Sequence, residues 1–421
     1  MWPWITALVL FCCFAAGCWQ WNGQQPWYST SASDVEALVG RVSEGQASRQ
    51  IGFLVLGLYG LGLLAMPGTR AVKFKPVLFY LLLLFIIWAF ISLAWSADHA
   101  QTAKRLVVFA SMCLTVAGVI KHYDIRQMAQ IACIASTLTL LSAVAIEVHA
   151  VAGHFPGVGL YRFSGMLHPN HQALNCGVVI LSSLYLVRIE QRRWLLILAA
   201  IALAALMLTK SRTALMAIMS GVAFYWLFAA STKRAVMTLL ICAWIGGGVM
   251  WLNSLDVLPS FSSVIAMGRS DLKKQDPREL TGRTAIWKFA LMQADKDPNR
   301  TFIGYGFETF WTPANVQGVS QFVNFNISEG HNIYLDWYLE LGLVGAGLYG
   351  VVLLSALLRW TVAARVLESP SCAIAAGIIV GAIVHGFAES SLGDASLPTF
   401  FFYTSIALST LARPDELEDA V

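Results

Sequence analysis

Apolar runs recur from one end of the chain to the other, broken by short polar segments. Most measure roughly 16 to 22 residues, close to the ~20 that carry a helix across ~30 Å of hydrocarbon. The pattern predicts twelve transmembrane helices, near 2–19, 50–66, 76–95, 105–120, 128–148, 171–188, 194–209, 213–230, 236–253, 331–358, 371–388 and 397–412. Helices satisfy their own backbone groups in lipid, which strands of this composition would not. The expected fold class is therefore an all-α polytopic membrane protein. It divides into transmembrane helices 1–9 (1–253), one large polar loop (254–330), and helices 10–12 with a short tail (331–421).

The segment 254–330 is the only sizeable polar insertion, and loops of this length commonly serve as lids or binding loops. Within it, Thr281 to Asp297 reads as an amphipathic helix with Ile286, Phe289, Ala290 and Met292 as its apolar stripe and Asp297-Pro298 as its end. Gly304-Tyr305-Gly306 marks a turn, and Phe307, Phe310 and Trp311 offer an aromatic edge suited to the lipid interface. The chain shows no internal repeat.

Composition sharpens this picture. Of 421 residues, 57% are hydrophobic and 12% charged, too few charges to clothe a soluble domain of this size. The net charge of +4 is spread over many short loops, which argues against nucleic acid as a partner. With the amino terminus inside, the inner loops carry Arg70, Lys73, Lys75, Lys121, Arg126, Arg188, Arg192, Arg193, Lys233, Arg234, Arg359, Arg365 and Arg413. The short outer segments hold fewer cations: Arg41, Arg49, Lys104, Arg105, Arg162, Lys210 and Arg212. The positive-inside bias thus predicts N-in and C-in, with the large loop outside. Met1-Trp2-Pro3-Trp4 lacks the positive start of a signal peptide, so an uncleaved first helix is expected, although Ala15-Ala16-Gly17-Cys18 has some likeness to a lipoprotein cleavage site. The eight cysteines lie in apolar runs without a Cys-x-x-Cys pair, which predicts neither a disulfide framework nor a metal site.

Ionisable residues at membrane helix ends are costly unless they have a task, and here they gather on the outer side. Arg162 and Asn170 flank one loop, Lys210 and Arg212 share a minimal turn, Arg283 opens the amphipathic helix, His331 precedes the tenth span and Glu389 follows the eleventh. A basic pair such as Lys210 and Arg212 more often snorkels to lipid phosphates, and a lone interfacial histidine is more often an anchor than a catalyst. Together, however, arginine forks suit a diphosphate, and an imidazole with an ordinary pKa of ~6.5 suits a general base. Asp336 and Glu340 read as bonds to neighbouring helices. His168, Asn170 and His171 could suggest a metal, as could Asp295 and Asp297, but Pro169 breaks the histidine spacing and the acidic pair lies where a helix ends. No metal or cofactor is expected.

The fragments Arg162-Phe163-Ser164-Gly165 with Pro169-Asn170, Lys210-Ser211-Arg212-Thr213, Gly282-Arg283 with Trp287, Ile303-Gly304-Tyr305-Gly306, and His331-Asn332 with Glu340-Leu341-Gly342 resemble, in order and placement, the O-antigen ligase/polymerase superfamily. The resemblance spans residues 162 to 342; the amino-terminal third is similar only in hydropathy. It implies a fold like the class C glycosyltransferases and transfer of a glycan from undecaprenyl diphosphate to an acceptor hydroxyl, which in the ligases belongs to the lipid A–core. It further implies diphosphate binding by Arg212 and Arg283, catalysis by His331, and lesser roles for Lys210, Arg162, Asn170, Asn332 and Glu389. The setting would be a bacterial inner membrane, the site facing the periplasm and both substrates embedded in membrane lipid.

Several alternatives share these features. An O-antigen polymerase or a protein O-oligosaccharyltransferase would carry similar motifs, but the moderate loop and short tail favour a ligase. A transporter would show inverted repeats and midplane charges. A purely structural scaffold would not need basic groups and a histidine at one face.

Overall fold

A computed structural model describes residues 2–19, 47–68, 73–151, 161–229, 283–323, 327, 329–391 and 393–412. The described chain is almost entirely helical. Its helices are α1 (Pro3–Cys18), α2 (Ala47–Ala65), α3 (Pro76–Ile91), α4 (His99–His122), α5 (Ile125–Val151), α6 (Pro169–Glu190), α7 (Leu195–Thr209) and α8 (Arg212–Ala229). They continue with α9 (Arg283–Ala294), α10 (Arg300–Ile303), α11 (Pro313–Val323), α12 (Ile333–Val366), α13 (Pro370–Gly386) and α14 (Leu397–Ser409). Seven are long and apolar enough to cross a membrane, and α1, α7, α13 and α14 are shorter apolar helices. Every expected span thus has its helix except the one near 236–253, which lies outside the described residues.

Local chemistry sets the helix starts. Prolines occupy the first turns of α1, α3, α6, α13 and α14, where a missing N–H costs nothing. Asp98 accepts from Gln101 N at 3.0 Å and so starts α4 six residues before its apolar run suggests. Asn332 caps α12 by accepting from Tyr334 N and Leu335 N.

Hydrogen bonds sort the connecting segments into two ends of the bundle. At one end, Ala97 N donates to Tyr305 O, Arg105 to Glu308, Arg162 to Thr209 O, and Asn170 to Glu389. At the other, Lys121 donates to Met66 O, Arg126 to Glu190, Arg188 to Ala229 O, and Lys75 N to Thr410 O. There, two short strands, β1 (Lys73–Phe74) and β2 (Leu411–Ala412), pair antiparallel. α1 belongs to the bundle: Thr6 is bonded to Tyr59 and Tyr123, and Leu10 is fully buried.

Two backbone approaches fix the end that bears the ionisable residues of the expected outer segments. α8 and α13 meet through Gly221 and Gly377, where a Cβ on either would lie 2.7 Å from the other's carbonyl oxygen. The Gly304–Gly306 turn docks on a kink in α12 at Gly342, with Tyr305 N on Leu339 O and Gly306 N on Glu340 O. Gly304 and Gly342 both have positive φ, 72° and 69°; a Cβ on Gly304 would meet the Glu340 backbone and one on Gly342 the Phe302 backbone.

The amphipathic helix forms as expected, with Ile286, Phe289 and Ala290 buried, but its fourth apolar position is Ala294. Met292 is exposed because it lies off the i, i+4 row that runs 286, 290, 294. The aromatic edge is also corrected. Phe307, Phe310 and Trp311 are buried, packed on Phe109, Trp337 and Tyr305 instead of facing lipid, because the turn folds them back onto α4 and α12.

Gly342→Ala should lower the melting temperature of the detergent-solubilised protein. Its Cβ would meet the Phe302 carbonyl in a backbone conformation costing roughly 1–3 kcal/mol for other residues. Gly347→Ala, in the same helix with open space around it, should not.

Candidate active site

Glu389 sits in the turn after α13 with its side chain 2% exposed. A carboxylate so placed needs partners for both oxygens. Its Oε1 accepts from Arg283 Nη2 at 2.5 Å and from Asn170 Nδ2 at 2.7 Å, while Oε2 lies 3.2 Å from His331 Nδ1. The oxygen of the same Asn170 amide accepts from Arg162 Nη2 at 2.9 Å, and Arg162 Nε donates to Thr209 O at 2.9 Å. Residues from α6, α9, the turn before α12 and the turn after α13 thus meet in one network.

Of the residues singled out from sequence, Arg162, Asn170, Arg283, His331 and Glu389 are joined directly. Asn332 docks beside them through its N–H on Ser390 Oγ, 3.0 Å away. Lys210, in a left-handed conformation, and Arg212, the first residue of α8, flank the turn whose Thr209 carbonyl Arg162 grips. Glu389, expected only in a supporting role, is the hub.

Supporting groups that sequence reasoning missed hold these residues in place. Glu147 Oε1 accepts from Ser164 N and Gly165 N, at 3.1 and 3.0 Å, fixing the turn that presents Arg162. His331 has a left-handed backbone, φ 49°, in a turn pinned on both sides. Trp287 Nε1 donates to Gly330 O at 2.9 Å, and Ser390, which accepts from Asn332 N, donates to Asp336. Asp336 also accepts from Trp311 Nε1 at 2.9 Å. It therefore ties the large loop and the 387–396 turn together, where a neighbouring-helix bond was expected.

Electrostatics change the reading of His331. Its Nδ1 lies 3.0 Å from Glu329 Oε1 as well as 3.2 Å from Glu389 Oε2. Burial alone would lower the imidazole pKa, but Glu329 and then Glu389 outweigh it and push it up to about 10. Glu389 moves the opposite way: burial opposes its charge, yet His331 and Arg283 hold it down at about 2. The expectation of an ordinary histidine pKa is thereby corrected, for reasons that involve residues distant in sequence. Glu329, His331 and Glu389 each offer a ligand atom within 4.8 Å of the others, spacing that could hold a metal ion. The imidazole N–H and the Arg283 guanidinium already supply positive charge to these carboxylates, so a divalent ion would have to displace them.

Residues 197–350 match the family model described as O-antigen ligase. That segment, under half of the chain, is similar to the O-antigen ligases. The O-antigen ligase-like segment begins in α7 and ends within α12, so it contains Lys210, Arg212, Arg283, His331 and Asn332. Arg162, Asn170 and Glu389 come from outside it and are joined to it by the fold. No curated protein matches the chain.

The ion pairing of His331 can be read by NMR of ¹⁵N-histidine-labelled protein. Its imidazole should titrate near 10, and Glu389→Gln should bring the midpoint down toward ~6.5. The carboxylates favour the charged imidazole, so their stabilising effect is complete below the ordinary histidine range and is lost as pH rises through about 10.

Proposed function

We propose that the protein is an O-antigen ligase that transfers a glycan from undecaprenyl diphosphate to a hydroxyl of the lipid A–core. The reaction takes place at the periplasmic face of the inner membrane, without a metal and with inversion. The convergence of Arg162, Asn170, Glu389, Arg283 and His331 at one end of the bundle is the observation that carries this reading. The match to O-antigen ligases supports a glycosyl-transferring enzyme with lipid-linked substrates, and the apolar helices suit two membrane-embedded ones. The excess of cations at the opposite end supports a periplasmic site.

In this mechanism the carboxylates hold His331 by Nδ1–H, leaving Nε2 to take the proton of the acceptor hydroxyl. The hydroxyl oxygen attacks the anomeric carbon from the face opposite the diphosphate, and the bonding pair of the breaking C–O bond leaves with the diphosphate oxygen. Arg283 and Arg212 stabilise that growing charge. One of the guanidinium's five donors orients Arg283 on Glu389, and the others are available for phosphate.

His331→Ala should abolish transfer by purified protein while undecaprenyl-linked donor still binds. In the wild type, His331 must lose its proton before it can accept one, so the rate should climb with pH toward about 10. A rate that instead falls as pH approaches that value would mean that the charged imidazole is the working form, and the base assignment would be wrong.

Lysine should not replace either arginine, because an ammonium keeps the charge but lacks the planar fork. Arg283→Lys and Arg212→Lys should each lose about a hundredfold in rate, ~3 kcal/mol of transition-state stabilisation. Arg49→Lys serves as the control, since Arg49 lies over the Phe53 ring of α2. Arg105 does not suit that purpose: it is paired with Glu308 at 3.1 Å and secures the large loop. Near-normal rates for both lysine variants, or arrest of the wild type by excess chelator with rescue by Mg²⁺ or Mn²⁺, would overturn this account of leaving-group stabilisation.

A further inference from the structure

A second histidine–carboxylate pair stands beside the first. His171 Nε2 lies 3.4 Å from Asp394 Oδ2. The two pairs are built from the same two pieces of chain. In the first turn of α6, Asn170 bonds Glu389 and the next residue, His171, faces Asp394; both carboxylates belong to the connection between α13 and α14. That connection is also held by Gly393 N on Ser390 O, 2.7 Å, and by Cys18 Sγ on Ala395 O, 3.1 Å, so Asp394 sits in a defined stretch of backbone.

The pairs differ in depth and charge. Glu389 is 2% exposed and satisfied by an arginine, an amide and an imidazole, whereas His171 is 21% and Asp394 47% exposed. Among the described residues, the polar side-chain contact of each is to the other, through Nε2 and Oδ2. His171 Nδ1 and Asp394 Oδ1 therefore have no partner among the described residues. The second ring nitrogen and the second carboxylate oxygen of this partly exposed pair match the donor–acceptor pattern of a neutral polyol: a carboxylate accepts from hydroxyls, and an imidazole nitrogen can accept or donate. The same carboxylate would repel a diphosphate.

We propose that His171 and Asp394 form the subsite for the hydroxyl-bearing sugar of the acceptor, at the rim of the site whose floor is Glu389. This rests on the transferase reading above. Asp394 Oδ1 accepts from one sugar hydroxyl and His171 Nδ1 bonds a neighbouring one, so the pair positions the acceptor and takes no part in breaking the donor bond.

The test uses full-length protein in detergent with deacylated lipid A–core oligosaccharide as probe. Binding of the oligosaccharide alone is measured by calorimetry, and KM for acceptor and for donor are measured separately. His171→Gln and Asp394→Asn, which keep size and some hydrogen bonding, should each weaken oligosaccharide binding and raise acceptor KM about tenfold, the value of one hydrogen bond of ~1.4 kcal/mol. Donor KM should stay within twofold of wild type. Unchanged oligosaccharide binding in both variants, or equal rises in the two KM values, would overturn the assignment. Wild-type protein that binds the oligosaccharide through these residues yet transfers nothing would sink the transferase reading and leave the subsite standing.

Discussion

A single buried carboxylate holds the candidate site together. Glu389 neutralises Arg283 and His331 at once and orders Asn170, so three separate parts of the chain are bound to one anion. An unpaired charge at 2% exposure would be severely destabilising, and so would either cation held there without it. The arrangement is therefore mutual: the site's cations make the buried carboxylate tolerable, and it fixes where they point. His331 is drawn into a left-handed turn, a conformation that glycine or asparagine adopts more readily, and the bonds at Gly330 and Asn332 keep it there.

Around this anion the fold brings rigid parts close. The Gly221–Gly377 approach sets α8, which begins at Arg212, against α13, which leads into Glu389. The large loop is not a loose appendage. Arg300 reaches Trp95 O, Arg105 reaches Glu308, and Trp311 reaches Asp336, so its second half is fastened to the turn after α3, to α4 and to α12. Its helices α9 and α11 share a small apolar core with Phe310 and Leu339. Arg283 thus projects from a packed platform.

The helices were legible in the sequence because lipid imposes a length and polarity on each span that a linear pattern records. The membership of the site was legible for a related reason: Arg162, Asn170, Arg283, His331 and Glu389 are expensive at membrane helix ends, and expense marks them. What the pattern did not carry was partnership. Glu329 precedes His331 by two residues, but the second carboxylate on the imidazole, Glu389, comes from 58 positions away. Glu147 does not stand out in the sequence, and its task comes only from the turn at Ser164 and Gly165 that closes over it. The aromatic run at 307–311 has a composition that suits either a headgroup layer or a core, and only the docking of Gly304–Gly306 decides for the core. The spacing of Met292 was legible and misread, since a strict helical row already excludes it.

The kink at Gly342 divides α12 into unequal lengths. Below it, residues 343–366 alone extend about 36 Å, enough to traverse ~30 Å of hydrocarbon. Above it, the first nine residues form a separate cap of about 14 Å, clamped to the large loop, with His331 at its far end. The two lengths answer to different neighbours: the lower rod is packed into the bundle through Tyr349, Leu353 and Trp360, while the cap is held by the platform. The position of the imidazole relative to Glu389 is thus set by protein-to-protein docking of the cap, on a helix whose longer part has the length of a membrane span.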